Sequence, residues 1–173
     1  MPISAEAPTL TGSWRVDPQA SHARFVAGNL GGLRTTAGRF RSLSGQLVVD
    51  NGQVVGALEI DGSSIDTGNR FRDFHLRSRA FFDVKRHPRL RYEARSISSQ
   101  DQGGALIDGE LIIGGTRTPL TLDVTLHAPA VGVVELASRT EVDRLALGIR
   151  GSRGMVPRTV GLDVAVTIRQ TGG

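Results

Sequence analysis

Residues 63–95, SSIDTGNRFRDFHLRSRAFFDVKRHPRLRYEAR, interrupt a chain that otherwise reads as strand after strand. The stretch holds Phe71, Phe74, Phe81 and Phe82, four of the six phenylalanines, and eight of the twenty arginines. It also holds the only lysine, Lys85, and two of the four histidines, His75 and His87, against four acids, Asp66, Asp73, Asp83 and Glu93. A basic, Phe-rich connection inside an all-β pattern serves either as the lid of a cavity or as a binding surface. Thr67-Gly68-Asn69 offers caps, and Asn is a favoured N-cap residue. Phe71, Phe74 and His75 then share one helical face. Asp73 and Arg77 are spaced as an i,i+4 ion pair, and Pro88 ends the segment. A short helical lid around 69–83 is predicted, with its phenylalanines turned toward the barrel.

Outward from this break, two-residue alternation marks strands at 21–27, 38–49, 54–60, 89–97, 105–113, 119–127, 131–142 and 159–169. The phase slips near Ser42, which predicts a bulge or bend. Asp50-Asn51-Gly52 and Gly114-Gly115 are turn signals, and Asp17-Pro18 is another. Residues 144–158 read as a long loop. About eight antiparallel strands in meander order, each with one apolar face, fit either a sandwich or a closed up-and-down barrel. Eight strands make a barrel that is packed solid or holds one ligand. Ala23, Ala27, Gly38, Gly45, Gly56, Ala94 and Gly109 lie on the inward faces. They leave room for an elongated apolar cavity, or they mark bends and barrel corners.

The chain has 173 residues, enough for one domain with a real core. Residues 1–12 are expected to form a flexible tail and 13–173 a single barrel domain. No cysteine is present, which removes disulfide and thiolate chemistry. The N-terminus lacks a signal-peptide pattern and no segment approaches the ~20 apolar residues of a membrane helix. A cytoplasmic location without a transmembrane segment is the expectation. The net charge is +4, nearly all of its cations arginine, whose planar fork suits phosphate and carboxylate.

His22, His75, His87 and His127 show no metal-type spacing, so no metal site is expected. Asp73 and His75 are two apart and do not meet on a helix. An enzyme using this pair is the less favoured alternative, and the bland reading is that both tie the lid to the barrel. A rival from another class is nucleic-acid binding, with arginines on phosphates and exposed phenylalanine rings on bases. It requires those rings to face solvent.

The central block resembles the signature of the YceI-like polyisoprenoid-binding family. The matching residues are Ser64 to Asn69, Arg72-Asp73, His75-Leu76, Phe81-Phe82-Asp83 and His87-Pro88. Trp14 with Asp17, Ser21-His22 through Phe25, Gly38-Arg39-Phe40, Leu43-Ser44-Gly45, Gly109-Glu110-Leu111 with Gly115-Thr116-Arg117, and Arg144 with Gly148-Ile149 match as well. The resemblance implies an eight-stranded lipocalin-like barrel that binds, stores or transports a polyisoprenoid, an isoprenoid quinone or a similar amphiphile without catalysis. Expected partners are thus a lipophilic small molecule and no nucleic acid, with no cofactor beyond such a lipid and a homodimer as a possible assembly. Phe25, Phe40, Leu58, Ile60, Phe71, Phe74, Phe82, Tyr92, Leu111, Leu122 and Val164 are the expected apolar lining. Arg70, Arg72, Arg77, Arg79, Arg150 and Arg153 are expected at the mouth, near the head group. Asp73 and His75 are expected to hold the lid. Gly56→Leu or Ala94→Phe is expected to block the cavity with the fold intact.

Overall fold

Alternation along the chain produces strands wherever one face can be buried, and the described residues follow that rule closely. The structure, a computed structural model, describes residues 8–28, 35–151 and 157–172. In chain order the elements are β1 (Gly12–Val16), β2 (His22–Gly28), β3 (Thr35–Phe40), β4 (Leu43–Asp50), β5 (Gln53–Asp61), β6 (Ile65–Asp66), α1 (Arg70–Arg77), β7 (Arg89–Ser99), β8 (Gly104–Ile113), β9 (Thr116–Ala130), β10 (Val133–Asp143) and β11 (Thr159–Gln170).

Every pairing is antiparallel, and the sheet closes on itself through β1, β4, β5, β7, β8, β9, β10 and β11. This is an eight-stranded barrel. The first staves are bent. The edge of β11 not taken by β10 pairs with β2 over Val160–Ala165 and with β1 over Ile168–Gln170. β3 adds to β2, and β6 adds to β3. The slip predicted near Ser42 is the break between β3 and β4, at Arg41 and Ser42. Asp17-Pro18 turns the chain between β1 and β2. That turn is pinned to β11, where Thr167 N–H donates to Ser21 Oγ and Thr167 Oγ1 donates to the Ala20 carbonyl. Arg169 Nε donates to Asp17 at 2.8 Å. β1 and β6 are the strands that periodicity did not mark, since five and two residues are too few to show a period.

The interior divides into two apolar clusters. At the α1 end, Phe40, Leu43, Ile60, Ile65, Leu90, Leu111 and Ile149 form a dense core, with Phe25, Leu76, Phe81 and Phe82 packed against it. At the other end, Trp14, Val16, Val49, Val54, Val134 and Ile168 form a second cluster. Leu10 belongs to this second cluster and is buried, and Trp14 Nε1 donates to the Thr11 carbonyl at 2.9 Å. Residues 8–12 therefore dock on the barrel end. Outside, the arginines of β7 join a charge ladder across β5, β7, β8 and β9. Arg89 and Arg91 pair with Glu59, Arg91 and Arg117 with Glu93, and Arg95 and Arg117 with Glu110. The hydrogen bond from Arg117, with Arg95 beside it, holds the Glu110 carboxyl below the usual carboxylate range.

Gly56 corrects one expectation. It sits in β5 at φ +145°, beside a register shift, and a Cβ there would lie 2.1 Å from the Gln46 carbonyl oxygen. Gly56→Leu would thus break the β4–β5 pairing instead of merely filling space. Even Gly56→Ala is expected to lower unfolding free energy by roughly 2–4 kcal/mol, since it adds backbone strain to a clash with a neighbouring strand. Urea denaturation measures this, and an unchanged midpoint would refute the close approach.

Candidate functional site

Between the two clusters the barrel holds a cavity of about 110 Å³. Its wall comes from inward positions of β1, β4, β5, β7, β8, β9, β10 and β11, including Val16, Leu47, Val54, Leu58, Ala94, Ile107, Leu122, Leu136, Val164 and Val166, together with Leu10. No Asp, Glu, Lys, Arg or His borders it among the described residues. Val164 and Val166 face inward and border the cavity, and each is only half-buried although it packs against one of the two clusters.

The wall's two side-chain hydroxyls are both engaged. Ser138 Oγ donates to the Asp123 carbonyl at 2.8 Å. Tyr92 Oη lies 3.0 Å from the Ile107 carbonyl and 2.8 Å from that of Leu120, so its single proton is shared between them. Gly109 permits this, since a Cβ there would lie 2.8 Å from the Tyr92 ring. Burial, with Asp108 adding to it, pushes the Tyr92 phenol well above its ordinary pKa, so it stays a neutral donor. The wall therefore offers apolar contact and makes no polar demand on an occupant.

Of the expected lining, Leu58, Tyr92, Leu122 and Val164 border the cavity. Phe25, Phe40, Ile60, Phe82 and Leu111 lie in the dense cluster at the α1 end. There Phe25 and Phe40 stand 6.0 Å apart and tilted, and Phe82 meets Phe40 edge-on at 5.8 Å. This aromatic group fills the barrel beneath the lid. Leu10 and the aliphatic residues of the opposite end, which also border the cavity, carry no local mark of a wall position. Their alternation was visible, but nothing local distinguishes a wall residue with a neighbour from one without.

The lid forms as predicted but faces the other way. α1 spans Arg70–Arg77, and the Asn69 side chain accepts from the N–H groups of Phe71 and Arg72, both at 3.1 Å. The buried face carries Asp73, 7% exposed, and Leu76 packs on the core. The Asp73 carboxylate accepts from Thr67 N–H at 2.9 Å and Thr67 Oγ1 at 2.6 Å. That bond sets the rotation of the helix, and Phe71 and Phe74 are thrown outward, 84% and 73% exposed. The expectation that these two rings line the barrel is corrected. His75 is also exposed; its ring meets Phe81 edge-on at 5.2 Å and no ring hydrogen bond ties it to the barrel among the described residues. Asp73 is thus a lid tie, whereas the His75 side chain, exposed, makes only the ring contact with Phe81 inside the lid among the described residues.

Of the arginines expected at the mouth, the five among the described residues, Arg70, Arg72, Arg77, Arg79 and Arg150, do not border the cavity. Arg72 donates to Thr67 Oγ1 and to the Thr67 carbonyl, and Arg77 to the Ile65 carbonyl. Both pin the lid. Arg70, Arg79 and Arg150 are exposed at the α1 end, and Arg153 lies outside the described residues. Arg144 is buried at the start of the late loop and donates to the carbonyls of Pro157 and Ile149, which ties together the two described ends of that loop. Asp73→Ala is expected to leave the Thr67 donors unpaired, costing about 1–3 kcal/mol. Amide exchange at residues 67–77 should quicken while β8 and β9 keep their protection. Unchanged exchange would show that other contacts hold the lid.

The geometry has counterparts among known proteins. Residues 14–171 match the YceI-like domain. A UPF0312 protein of Shewanella denitrificans is 28% identical over 165 residues, covering 87% of this chain and 84% of that protein. A UPF0312 protein of Serratia proteamaculans is 29% identical over 122 residues, covering 68% of this chain and 62% of its own length. Among solved structures, Burkholderia cenocepacia BcnA superposes with a TM-score of 0.78 at 21% identity, over 88% of this chain and 98% of that one. A polyisoprenoid-binding domain from Saccharophagus degradans gives 0.77 at 15% identity, over 91% and 98% of the two chains. With the family matched over nearly its whole length and the same barrel in these structures, the chain belongs to the YceI-like family.

Proposed function

We propose that the barrel binds a lipophilic, chain-like molecule non-covalently, for storage or transport. The observation that carries this reading is the cavity wall: apolar throughout, with its two hydroxyls satisfied internally. Such a wall favours hydrocarbon over water, at roughly 25 cal/mol for each Å² of apolar surface removed from solvent. The polyisoprenoid-binding domain of Saccharophagus degradans, with the same fold, supports a prenyl tail as the ligand class. An isoprenoid quinone tail has the same surface chemistry.

The volume adds a constraint. A dry cavity on the order of 150 Å³ holds one benzene-sized molecule, so about 110 Å³ admits only a short length of chain. A long tail must spread the wall. The aliphatic side chains around Ala94 and Val164 can change rotamer, and the aromatic group of Phe25, Phe40 and Phe82 can move with the lid. With no charged side chain in the wall among the described residues, a polar head stays outside the barrel. Arg70, Arg79 and Arg150, three of the exposed cations at the α1 end, would receive an anionic head.

Lipid extraction followed by mass spectrometry of the purified protein tests the ligand class, a prenyl-chain lipid in stoichiometric amount being the expected result. Ala94→Phe places a ring in the cavity and is expected to lower uptake of a fluorescent polyprenyl probe more than about tenfold. The melting temperature should change little by comparison. Undiminished uptake would place the ligand elsewhere.

A further inference from the structure

Phe71 and Phe74 lie one turn apart on the outer face of α1, with 84% and 73% of their surfaces in water. Phenylalanine is ordinarily an inside residue, and two such rings side by side mark an interaction site. The charge around them is unbalanced. Arg70, Arg79 and Lys85 are exposed, and none has an acidic partner among the described residues. The four acids of the segment are already engaged: Asp66 by Arg39 and Arg41, Asp73 by Thr67, Asp83 by Arg86, and Glu93 by Arg91 and Arg117. Arg150 adds a further exposed cation at this end, since the neighbouring Gly151 abuts Ala80 and Phe81.

We propose that this end of the barrel docks on an anionic lipid surface. Phe71 and Phe74 enter the interfacial layer, and Arg70 and Arg79 meet the lipid phosphates. Apolar tips ringed by uncompensated cations match that surface in both shape and charge. A single-stranded nucleic acid fits less well. Base stacking uses rings set along a charged groove, whereas Phe81 and Phe82 pack inward and leave two rings on a convex helix. A second copy fits less well again, because a two-fold contact would set Arg70 and Arg79 against the same cations of the other chain. Docking goes beyond the cargo reading and does not depend on it: a protein that docks but carries nothing would still pass the test below.

The test is co-sedimentation of the purified protein, freed of lipid, with vesicles of equal parts phosphatidylcholine and phosphatidylglycerol, beside vesicles of phosphatidylcholine alone. Binding is expected to the anionic vesicles and to weaken as salt rises. Phe71→Ser/Phe74→Ser and Arg70→Glu/Arg79→Glu should each reduce it at least about tenfold. Both changes lie on the surface, and an unchanged thermal melt confirms that the fold is kept. In a separate arm, Phe71→Trp should show a blue-shifted emission on adding the anionic vesicles, which reads insertion without relying on lost binding. Absence of vesicle binding, or equal binding by the serine variant, overturns the proposal. So does an oligonucleotide complex or a self-association that the serine variant abolishes while vesicles remain unbound.

Discussion

The outer edge of β11 is the constraint on which the barrel depends. A strand edge left open exposes a row of unpaired amides and carbonyls. Here β11 gives one edge wholly to β10 and divides the other between β2 and β1. The division closes the ring, yet it forces the first stave to bend between Val16 and His22. Asp17, Ser21 and Thr167 satisfy the polar groups freed at that bend. The following stave bends at Arg41 and Ser42 for the same geometrical reason, and its displaced part, β3, provides the edge that holds β6.

That short pairing places Thr67, and Thr67 places the lid. The Asp73 carboxylate has two donors within reach only if α1 turns its Asp73 and Leu76 side inward. The helix then presents Phe71 and Phe74 to solvent. A buried carboxylate without those donors would cost more than two exposed rings forfeit. The lid and the cavity are consequently separate features. The α1 end is closed by packed aromatics, and the free volume lies deeper, against the aliphatic cluster around Val16, Val54 and Ile168. A ligand reaching that volume from the lid side has to pass Phe25, Phe40 and Phe82.

The sequence by itself determined the strands other than β1 and β6, the bend at Ser42, the turn at Asn51-Gly52 and the Asn69 cap, because alternation and capping act between residues close in the chain. It also carried the family, through the block from Ser64 to Pro88. Only the tertiary structure decided which way the helix faces and where the barrel is hollow. The 3.6-residue period shows that Phe71 and Phe74 share a face but not whether that face is buried, and the answer comes from a Thr67 positioned by strand pairing. Likewise, alternation shows that Leu58, Ile60, Leu111 and Leu122 point inward. Whether an inward side chain meets a partner or a void depends on what the opposite wall brings to the same level. That is why Leu58 and Leu122 border the cavity while Ile60 and Leu111 are packed.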